Sequence, residues 1–416
     1  MESSSNRSGS TSTIEGWTAA TESAIRELNA WPSKRVQILH HNDTDGLCSG
    51  AILSRAFERK GYAVHRFCLE KPYPAVIQKV YEQEGEVLVF ADFAGRIAPM
   101  LSELNRGRNL TLILDHHVAE ESTDPRVHNL DPDLFGLKGD RDISASTTCF
   151  HFVRNLDPAN QNMAHIAALG AVGDEFFVDG RLVSENRAVT LEAVHQGLVE
   201  IQEQEGGERY ILRSLKGGIA CDELAVYLDT LGGAGYYRGG PEVGIGVCLE
   251  GFSPESDRMV DELKATKAMA FDAEIARLKG GALESCLHIQ WFHVRKRFSP
   301  MGVKMIGDFC SSIKNMGFVD PSKYIAGFQI VPNEIPGFGP IKFNEAKISM
   351  RVSGHLEQEI RAGRAMGLDR LLPEATDRLG GFSDACHSLT AATTVAIGKE
   401  ESLIQEMEKI LRDRNT

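Results

Sequence analysis

Hydrophobic runs that end abruptly in aspartate or histidine constrain the fold of this chain more than any other feature. In the N-terminal half, residues 36–39 run into His41-Asn42-Asp43-Thr44-Asp45, and residues 87–90 run into Asp92. Residues 110–114 run into Asp115-His116-His117, and a helix-like stretch at 167–173 runs into Asp174. The pattern predicts that side chains able to bind a metal emerge from several segments that end at one place.

Strand-like and helix-like segments alternate through the same region. We predict strands at 36–39, 63–68, 87–90 and 110–114, with helices at 47–59, 74–83 and 98–105 between them. Strands this apolar, separated by helices, indicate a parallel sheet that is covered on both faces. Right-handed crossovers place the carboxyl ends of such strands on one edge, where open α/β sheets bind ligands. We therefore expect Asp43, Asp92 and the 115–117 triplet to meet on that edge.

The length of 416 residues is too great for one core and predicts several domains. Residues 1–15 are rich in Ser, Thr, Asn and Gly and predict a disordered tail. We predict a catalytic α/β domain at residues 16–187. Residues 188–285 contain amphipathic stretches and glycine pairs, and we predict that they form a helical connector. Residues 286–416 are predicted to form a smaller second α/β domain.

The charge balance limits the partners that the chain can bind. The formal net charge is −13, whereas a protein that contacts long stretches of phosphate backbone is usually basic. A short oligonucleotide or a local basic groove remains compatible, and His293 with Arg295-Lys296-Arg297 is the densest basic run. No apolar run approaches the ~20 residues of a membrane span, and no signal peptide is evident. Eight cysteines without a C-x-x-C pair suggest reduced thiols, and together these features predict a cytoplasmic protein without a membrane partner.

The residue types at the run ends suit a pair of divalent cations. Hard anionic oxygens and imidazole nitrogens are the appropriate ligands, and one carboxylate can bridge two ions. Asp43 and Asp45 can point toward neighbouring ions, and Asp92 is the natural bridge. His116 and Asp174 complete the set of ligands around the second ion. One aspartate after a strand would more often cap a helix or a turn, so the interpretation depends on the whole set.

The order of these motifs resembles that of the DHH phosphoesterase superfamily, and most closely its RecJ-like nucleases of the archaeal type. The resemblance implies two divalent ions in the N-terminal domain, manganese by preference and magnesium as a possibility. It assigns Asp43 to one ion, Asp45, His116 and Asp174 to the other, and Asp92 to both. It also implies that His117 contacts the scissile phosphate and that Asp115 orients the histidines.

Two parts of the chain depart from the family pattern. Some members carry a histidine four residues before the first aspartate, where this chain has Leu39, so His41 is the expected substitute. The C-terminal region resembles the DHH-associated substrate-binding domain through Ser349-Met350-Arg351 and an altered loop from Gly380-Gly381 to His387. This resemblance implies that Arg351, His387, Gly380 and Gly381 bind substrate. Cys386 and Thr393 stand where glycines are usual, and the loop is one residue longer.

We therefore predict a metal-dependent phosphodiesterase that hydrolyses single-stranded nucleic acid or short oligonucleotides, as an exonuclease. A small-substrate phosphodiesterase, acting on a cyclic dinucleotide, a dinucleotide or a phosphorylated nucleotide, is the nearest alternative, and the acidic balance favours it. A nucleic-acid-binding relative without turnover is a second alternative, against which the intact set of five ligand candidates argues. P-loop, H-E-x-x-H and G-x-S-x-G patterns are absent from the sequence. Protein partners, the choice between DNA and RNA, and the polarity of cleavage are not readable from it.

Overall fold

The computed structural model describes residues 14–215 and 217–414. The predicted disordered tail lies outside the described residues up to residue 13, and a helix begins at Ile14. The chain forms two compact units. The N-terminal unit runs to Asp229 and includes Pro241–Ser253, whereas the C-terminal unit combines Thr230–Gly240 with the residues from Pro254 onward. The domain boundaries at 187 and 285 stay predictions.

In the described part of the N-terminal unit, five strands form a parallel sheet with the order β2-β1-β3-β4-β5. The strands are β1 (Arg35–His41), β2 (Ala63–Leu69), β3 (Val87–Ala91), β4 (Leu110–Leu114) and β5 (Val127–Asn129). Every residue of β3 and β4 is buried, as the apolar runs predicted. In this order the chain leaves β1 and β3 toward opposite sides, so a crevice opens between their carboxyl ends. The predicted parallel-sheet α/β fold is confirmed.

Helices precede, follow and connect these strands. They are α1 (Ile14–Ala30), α2 (Thr44–Arg59), α3 (Pro74–Val80), α4 (Ala98–Asn105), α5 (Ala145–Leu156), α6 (Ala164–Gly173) and α7 (Ser184–His195). Helix α2 begins three residues before the predicted start because the Asp43 carboxylate caps it by accepting from the Gly46 N–H. Ser144 has the same role at α5, where its hydroxyl accepts from the Thr147 N–H.

A three-stranded antiparallel sheet lies within residues 188–285, where the sequence predicted helical stretches. Its strands are β6 (Val199–Gln204), β7 (Gly207–Leu212) and β8 (Ile219–Ala220), and the helices α8 (Cys221–Asp229) and α9 (Gly240–Glu250) follow. Glu205 and Gly206 form the two-residue turn between β6 and β7, where Gly206 has a positive φ angle, and Gly207 is the first residue of β7. In the sequence the Gly206-Gly207 pair had the appearance of a break between helices.

In the described part of the C-terminal unit, a six-stranded mixed sheet has the order β15-β16-β14-β11-β10-β9. The elements are α10 (Pro254–Arg277), β9 (Glu284–Ser285), β10 (Ile289–Arg295), α11 (Met305–Ile313), β11 (Tyr324–Ile330), β12 (Glu334–Ile335), β13 (Gly339–Pro340), β14 (Glu345–Arg351), α12 (Gly354–Arg361), α13 (Leu368–Arg378), β15 (Phe382–Cys386), β16 (Thr390–Ala396) and α14 (Glu400–Arg414). One face of the sheet packs its apolar side chains against α13 and α14. The second α/β region is thus confirmed. Among the described helices, none is long and apolar enough to cross a membrane.

Candidate metal centre

The side chains predicted for the metal site meet at the carboxyl edge of the parallel sheet, in three overlapping groups. Within each group every residue offers one ligand atom, and these atoms all lie within 4.8 Å of one another. The groups are His41 with Asp43 and Asp92, Asp45 with His116 and Asp174, and Asp92 with Asp115, His116 and His117. The structure therefore brings together every predicted residue of the N-terminal site.

The first group is built where β1 passes into α2. His41 Nδ1 lies 2.7 Å from Asp43 Oδ2 and 3.4 Å from Asp92 Oδ2. His41 Nε2 lies 3.2 Å from the carbonyl oxygen of Glu70, which can only accept, so Nε2 carries the proton and donates. In the neutral ring the lone pair of Nδ1 then faces the two carboxylates. Leu39 has no side-chain nitrogen, and His40 Nδ1 lies 2.8 Å from the His41 carbonyl, so His41 is the residue of β1 that supplies this nitrogen.

Asp92 belongs to both the first and the third group. Its carboxylate is 3% exposed, with Oδ1 3.2 Å from His116 Nε2 and Oδ2 near His41. Among the described residues, Oδ2 has no hydrogen-bond partner. The backbone has φ +63°, a left-handed conformation that is strained for aspartate, and the Asp92 N–H donates to the Leu114 carbonyl. One carboxylate thus presents one oxygen to each side of the site.

The second group joins the end of α6 to the sheet edge. His116 Nδ1 donates to the Gly139 carbonyl at 2.8 Å, so Nε2 is left for the site, 3.6 Å from Asp174 Oδ2. That Asp174 oxygen is a second buried atom for which the described residues offer no hydrogen-bond partner. Asp45 is fully buried, and its two oxygens accept from the N–H groups of Ala145 and Ser146 at 2.7 and 3.1 Å. These N–H groups belong to the N-terminus of α5, which favours an anion.

The carboxylates of the site repel one another in a region that excludes water. Burial and the neighbouring charge of Asp92 raise the pKa of Asp45 to about 6. Burial and the charges of Asp45 and Asp92 raise the pKa of Asp174 well above its usual value. Burial lowers the pKa of His116, but the hydrogen bond with Asp92 and the charge of Asp174 outweigh it, and the net shift is upward. A bound cation would relieve the repulsion among the carboxylates that raises the pKa of Asp45 and Asp174.

The donor set fits divalent cations. Carboxylate oxygens suit Mn²⁺ and Mg²⁺, whereas imidazole nitrogens suit transition-metal ions better than Mg²⁺. The unpartnered oxygens of Asp92 and Asp174 need a positive partner to offset their burial. Both metal-facing histidines are fixed in orientation by a hydrogen bond from the other ring nitrogen to a main-chain carbonyl, the arrangement usual for metal-binding histidine. We infer the ion-binding role from this fit.

Asp115 and His117, which belong to the third group, are hydrogen-bonded to each other. Asp115 accepts from the N–H of Gly95, the N–H of His116 and His117 Nδ1, at 2.8, 2.8 and 2.7 Å. Burial would raise the pKa of Asp115, but the His117 ring and the other donors hold it well below its usual value. Burial likewise disfavours the charged His117 ring, yet the Asp115 charge raises the His117 pKa overall. The His117 side chain is 33% exposed, and its Nε2 is left for an external group.

Main-chain atoms complete the site, and no sequence motif indicates which ones take part. The carbonyls of Glu70 and Gly139 orient the two histidines, and the N–H groups of Gly95, Ala145 and Ser146 hold two of the carboxylates. Any residue type offers these groups. Their contribution depends on loop geometry, which only the folded chain defines.

The residues predicted to bind substrate all lie in the C-terminal unit. Arg351 is at the end of β14, where its Nε donates to Ser311 Oγ at 2.9 Å and its Nη1 donates to the Met350 carbonyl at 2.8 Å. Burial lowers the pKa of Arg351. Gly380 and Gly381 form the turn between α13 and β15, whereas His387 lies on the turn between β15 and β16. Strand β15 thus separates the glycine pair from His387, a spacing that the single-loop resemblance did not anticipate.

The basic run at the end of β10 is partly engaged in internal ion pairs. Arg297 pairs with the buried carboxylate of Glu274, which Arg277 also contacts. His293 lies 3.4 Å from Glu400. Arg295 and Lys296 are exposed. The local basic surface is therefore smaller than the sequence suggested.

Residues 35–173 match the family model described as DHH family, N-terminal domain. Over these residues the chain is similar to the N-terminal domain of the DHH family. An uncharacterized protein of Methanocaldococcus jannaschii is 28% identical over 173 residues, which cover 40% of this chain and 38% of that protein. The chain thus spans about two fifths of this curated relative. The matched region contains the seven predicted site residues from His41 to His117, and Asp174 follows it directly.

Solved structures show the same fold at low sequence identity. RecJ of Thermus thermophilus, in complex with Mn²⁺, has a TM-score of 0.62 at 16% identity, over 95% of this chain and 55% of that chain. A DHH-domain protein described as a member of the s1p family of ribosomal proteins has a TM-score of 0.62 at 14% identity, and the match covers 96% of this chain and 92% of that chain. The fold is therefore RecJ-like over nearly the whole chain.

Proposed function

We propose that this DHH protein is a metal-dependent phosphodiesterase that hydrolyses single-stranded nucleic acid or short oligonucleotides from an end. The observation that carries the proposal is the buried Asp92 carboxylate, which directs one oxygen toward His41 and the other toward His116. A carboxylate in this position can be shared by two ions. The DHH domain and the RecJ-like fold support the same class of activity.

Two ions would be held by the two groups that Asp92 connects. In the proposed assignment His41 and Asp43 bind the first ion, whereas Asp45, His116 and Asp174 bind the second. When bound, two divalent ions activate a water molecule and neutralise charge on the phosphoryl group during in-line displacement. Manganese is the proposed preference and magnesium the alternative, and Thermus thermophilus RecJ has been crystallised with each.

The chain itself supplies the groups that hold the substrate. His117 is oriented by Asp115 and presents Nε2 outward, where it would donate a hydrogen bond to an oxygen of the scissile phosphate. In the C-terminal unit, Arg351 offers a planar fork suited to a phosphate. His387 and the turn of Gly380 and Gly381 are the further proposed contacts with substrate. A side-chain nucleophile is not required, because water is the attacking group.

A small-substrate phosphodiesterase is a second candidate, and the basic run at the end of β10 favours it. Because Arg297 is engaged with Glu274 and His293 lies against Glu400, few free cations remain there for the phosphates of a long strand. The net charge of −13 also favours a small substrate over a long strand. A cyclic dinucleotide, a dinucleotide or a phosphorylated nucleotide would need fewer phosphate contacts.

A single panel of substrates tests the proposal. Purified protein is offered end-labelled single strands of DNA and RNA, dinucleotides and cyclic dinucleotides, with Mn²⁺, with Mg²⁺, or with a chelator. The proposal predicts metal-dependent release of mononucleotides from single strands and no release with the chelator. Cleavage of the small substrates alone would identify the second candidate. Binding of single strands without hydrolysis in either metal would contradict both.

A further inference from the structure

Thr44 lies between Asp43 and Asp45, and its position fixes the direction of both neighbouring carboxylates. It is the first residue of α2 and is 1% exposed. The Asp43 side chain belongs to the group with His41, whereas the Asp45 side chain belongs to the group with His116. A rotation of the backbone at Thr44 would therefore move both carboxylates relative to the shared Asp92.

The carboxylate of Asp229 holds Thr44 from outside the metal site. Asp229 Oδ1 accepts from the Thr44 N–H at 2.9 Å and lies 3.1 Å from Thr44 Oγ1. The Thr44 hydroxyl also lies 2.9 Å from the carbonyl of Ala225, one turn earlier on α8. The first N–H of a helix has no partner within the helix, and here a side chain 185 residues away supplies one.

A third element meets the same residue. A methyl group built on Gly173 would lie 2.6 Å from Thr44 Cβ, so the end of α6 packs directly on Thr44. The next residue, Asp174, is a proposed ligand, so the contact between Gly173 and Thr44 also positions the Asp174 backbone. This packing therefore affects three of the five metal ligands that the sequence predicted, namely Asp43, Asp45 and Asp174.

Asp229 is the last residue of α8, and a π-helical turn, Thr230–Ala234, follows it directly. Its carboxylate lies at the N-terminus of α2, where a negative charge is favourable. Among the residues that the structure describes, Asp229 is in none of the three ligand groups. Asp229 contacts the Asp43-Thr44-Asp45 turn through Thr44.

We propose that Asp229 is a positioning residue that fixes the Asp43-Thr44-Asp45 turn for metal binding. The inference rests on the proposed function, because it takes Asp43 and Asp45 as ligands. Asp229 acts by accepting a hydrogen bond at a defined point and not by adding charge to the site. Loss of such a supporting contact typically weakens metal affinity by about 10–100-fold.

Two substitutions separate geometry from charge. Asp229→Asn keeps an oxygen that can accept from the Thr44 N–H but removes the charge, and it should bind Mn²⁺ within about 3-fold of the wild-type affinity. Asp229→Glu keeps the charge but displaces the oxygen by one methylene, and it should bind Mn²⁺ about 10–100-fold more weakly. Asp222→Ala, which removes an exposed carboxylate from the same helix, is the matched control and should match the wild type.

Calorimetric titration with Mn²⁺ gives the affinities, and thermal melting of the metal-free proteins shows that each variant is folded. A loss in the Asn variant with retention in the Glu variant would make the role electrostatic and overturn the proposal. Wild-type affinity in both variants would also overturn it. If one variant fails to fold, Thr44→Gly, which frees the turn while keeping its N–H, should show the same weakened Mn²⁺ affinity; an unchanged affinity there would be a further contradiction.

The titration is read without any substrate, so it separates this inference from the proposed activity. A wild-type protein that binds Mn²⁺ but hydrolyses no phosphodiester would contradict the phosphodiesterase alone, and the variants would still decide the role of Asp229. A wild-type protein that binds no Mn²⁺ would contradict the metal centre and this inference together.

Discussion

At the scale of single residues, Asp92 is the most constrained side chain of the site. Its left-handed backbone costs on the order of 1–3 kcal/mol, a strain that a loop free to relax would avoid. The N–H bond to Leu114 holds the residue against β4, and the carboxylate is consequently aimed between His41 and His116. Strain of this kind at a sheet edge is typical of a functional position.

Changing Asp92 to Asn should abolish metal-dependent hydrolysis while the protein stays folded. The amide has almost the same shape but lacks the charge that two ions would share, so we expect the rate to fall by roughly 10³-fold or more. Activity assays with Mn²⁺, together with circular dichroism, check this. Asp179→Asn is the matched control, because Asp179 also has a positive φ angle but lies exposed outside the ligand groups. Wild-type rates in a folded Asp92→Asn protein would contradict the two-ion centre.

Changing His117 to Ala should separate catalysis from metal binding. If His117 contacts the phosphate and not an ion, Mn²⁺ affinity should remain within about 3-fold, while the rate should fall by about 10²–10⁴-fold. Calorimetry and steady-state kinetics measure the two quantities. His116→Ala is the comparison, since loss of that proposed ligand should weaken Mn²⁺ binding. Equal losses of Mn²⁺ affinity in the two variants would make His117 a ligand and contradict its assignment.

At the scale of elements, the site depends on helices that pack unusually close to one another. Helix α5 donates two N–H groups to Asp45. Helix α6 approaches both α5 and Asp45 at Gly170. A methyl group built on Gly170 would lie 2.1 Å from Ser146 Oγ and 2.4 Å from Asp45 Oδ1. The absence of a side chain at this point lets Asp45 reach the N-terminus of α5.

Changing Gly170 to Ala should therefore displace Asp45. We expect a loss of about 1–3 kcal/mol in the free energy of unfolding from overpacking, and a clear drop in Mn²⁺ affinity. Gly246→Ala in α9 is the matched control: nothing lies within 4 Å of the added methyl group, so it should stabilise the protein by about 0.5–1 kcal/mol. Chemical denaturation and calorimetry report both effects. A Gly170→Ala protein with wild-type Mn²⁺ affinity would show that the Asp45 position does not matter for the ions.

At the scale of the whole molecule, the proposed chemistry lies in the N-terminal unit and the proposed substrate contacts lie in the C-terminal unit. The two can be tested separately because they affect different kinetic constants. A contact made equally in the ground state and the transition state changes the Michaelis constant, whereas the groups that act on the reacting phosphate change the maximal rate.

Changing Arg351 to Ala should raise the Michaelis constant about 10–100-fold, with a much smaller effect on the maximal rate, as expected for loss of a charge-assisted phosphate contact. Arg351→Lys should recover only part of the loss, because lysine lacks the planar fork. Arg361→Ala in α12, which removes an exposed arginine of the same unit, is the control. An unchanged Michaelis constant in Arg351→Ala would mean that this arginine does not bind substrate.

Neutralising the exposed part of the basic run distinguishes long from small substrates. Arg295→Gln with Lys296→Gln leaves the Arg297–Glu274 ion pair intact. If a strand extends over this surface, its cleavage should weaken and the salt dependence should flatten by about 0.7 in log–log slope for each lost contact, while a dinucleotide should be unaffected. Arg361→Gln with Arg364→Gln controls for net charge. Equal losses on both substrates would favour the small-substrate phosphodiesterase.

The sequence by itself determined the elements and the list of side chains in the N-terminal unit. Apolar strands that alternate with helices can be buried in one way, as a parallel sheet, and the side chains after Leu39, Ala91 and Leu114 must then share an edge. The same reasoning failed for the sheet of β6, β7 and β8, because short, half-polar strands have no such signature and the glycine pair Gly206-Gly207 resembles a helix break.

Only the tertiary structure decided how those side chains are oriented. The tautomers of His41 and His116 follow from carbonyls that lie far away in the sequence, and the Asp45 carboxylate depends on two N–H groups a hundred residues distant. Asp229, which holds Thr44 across 185 residues, has no distinguishing sequence context. The physical reason is general: a side chain type can be read from the sequence, whereas a hydrogen bond depends on where the partner backbone lies, and that is a property of the whole fold.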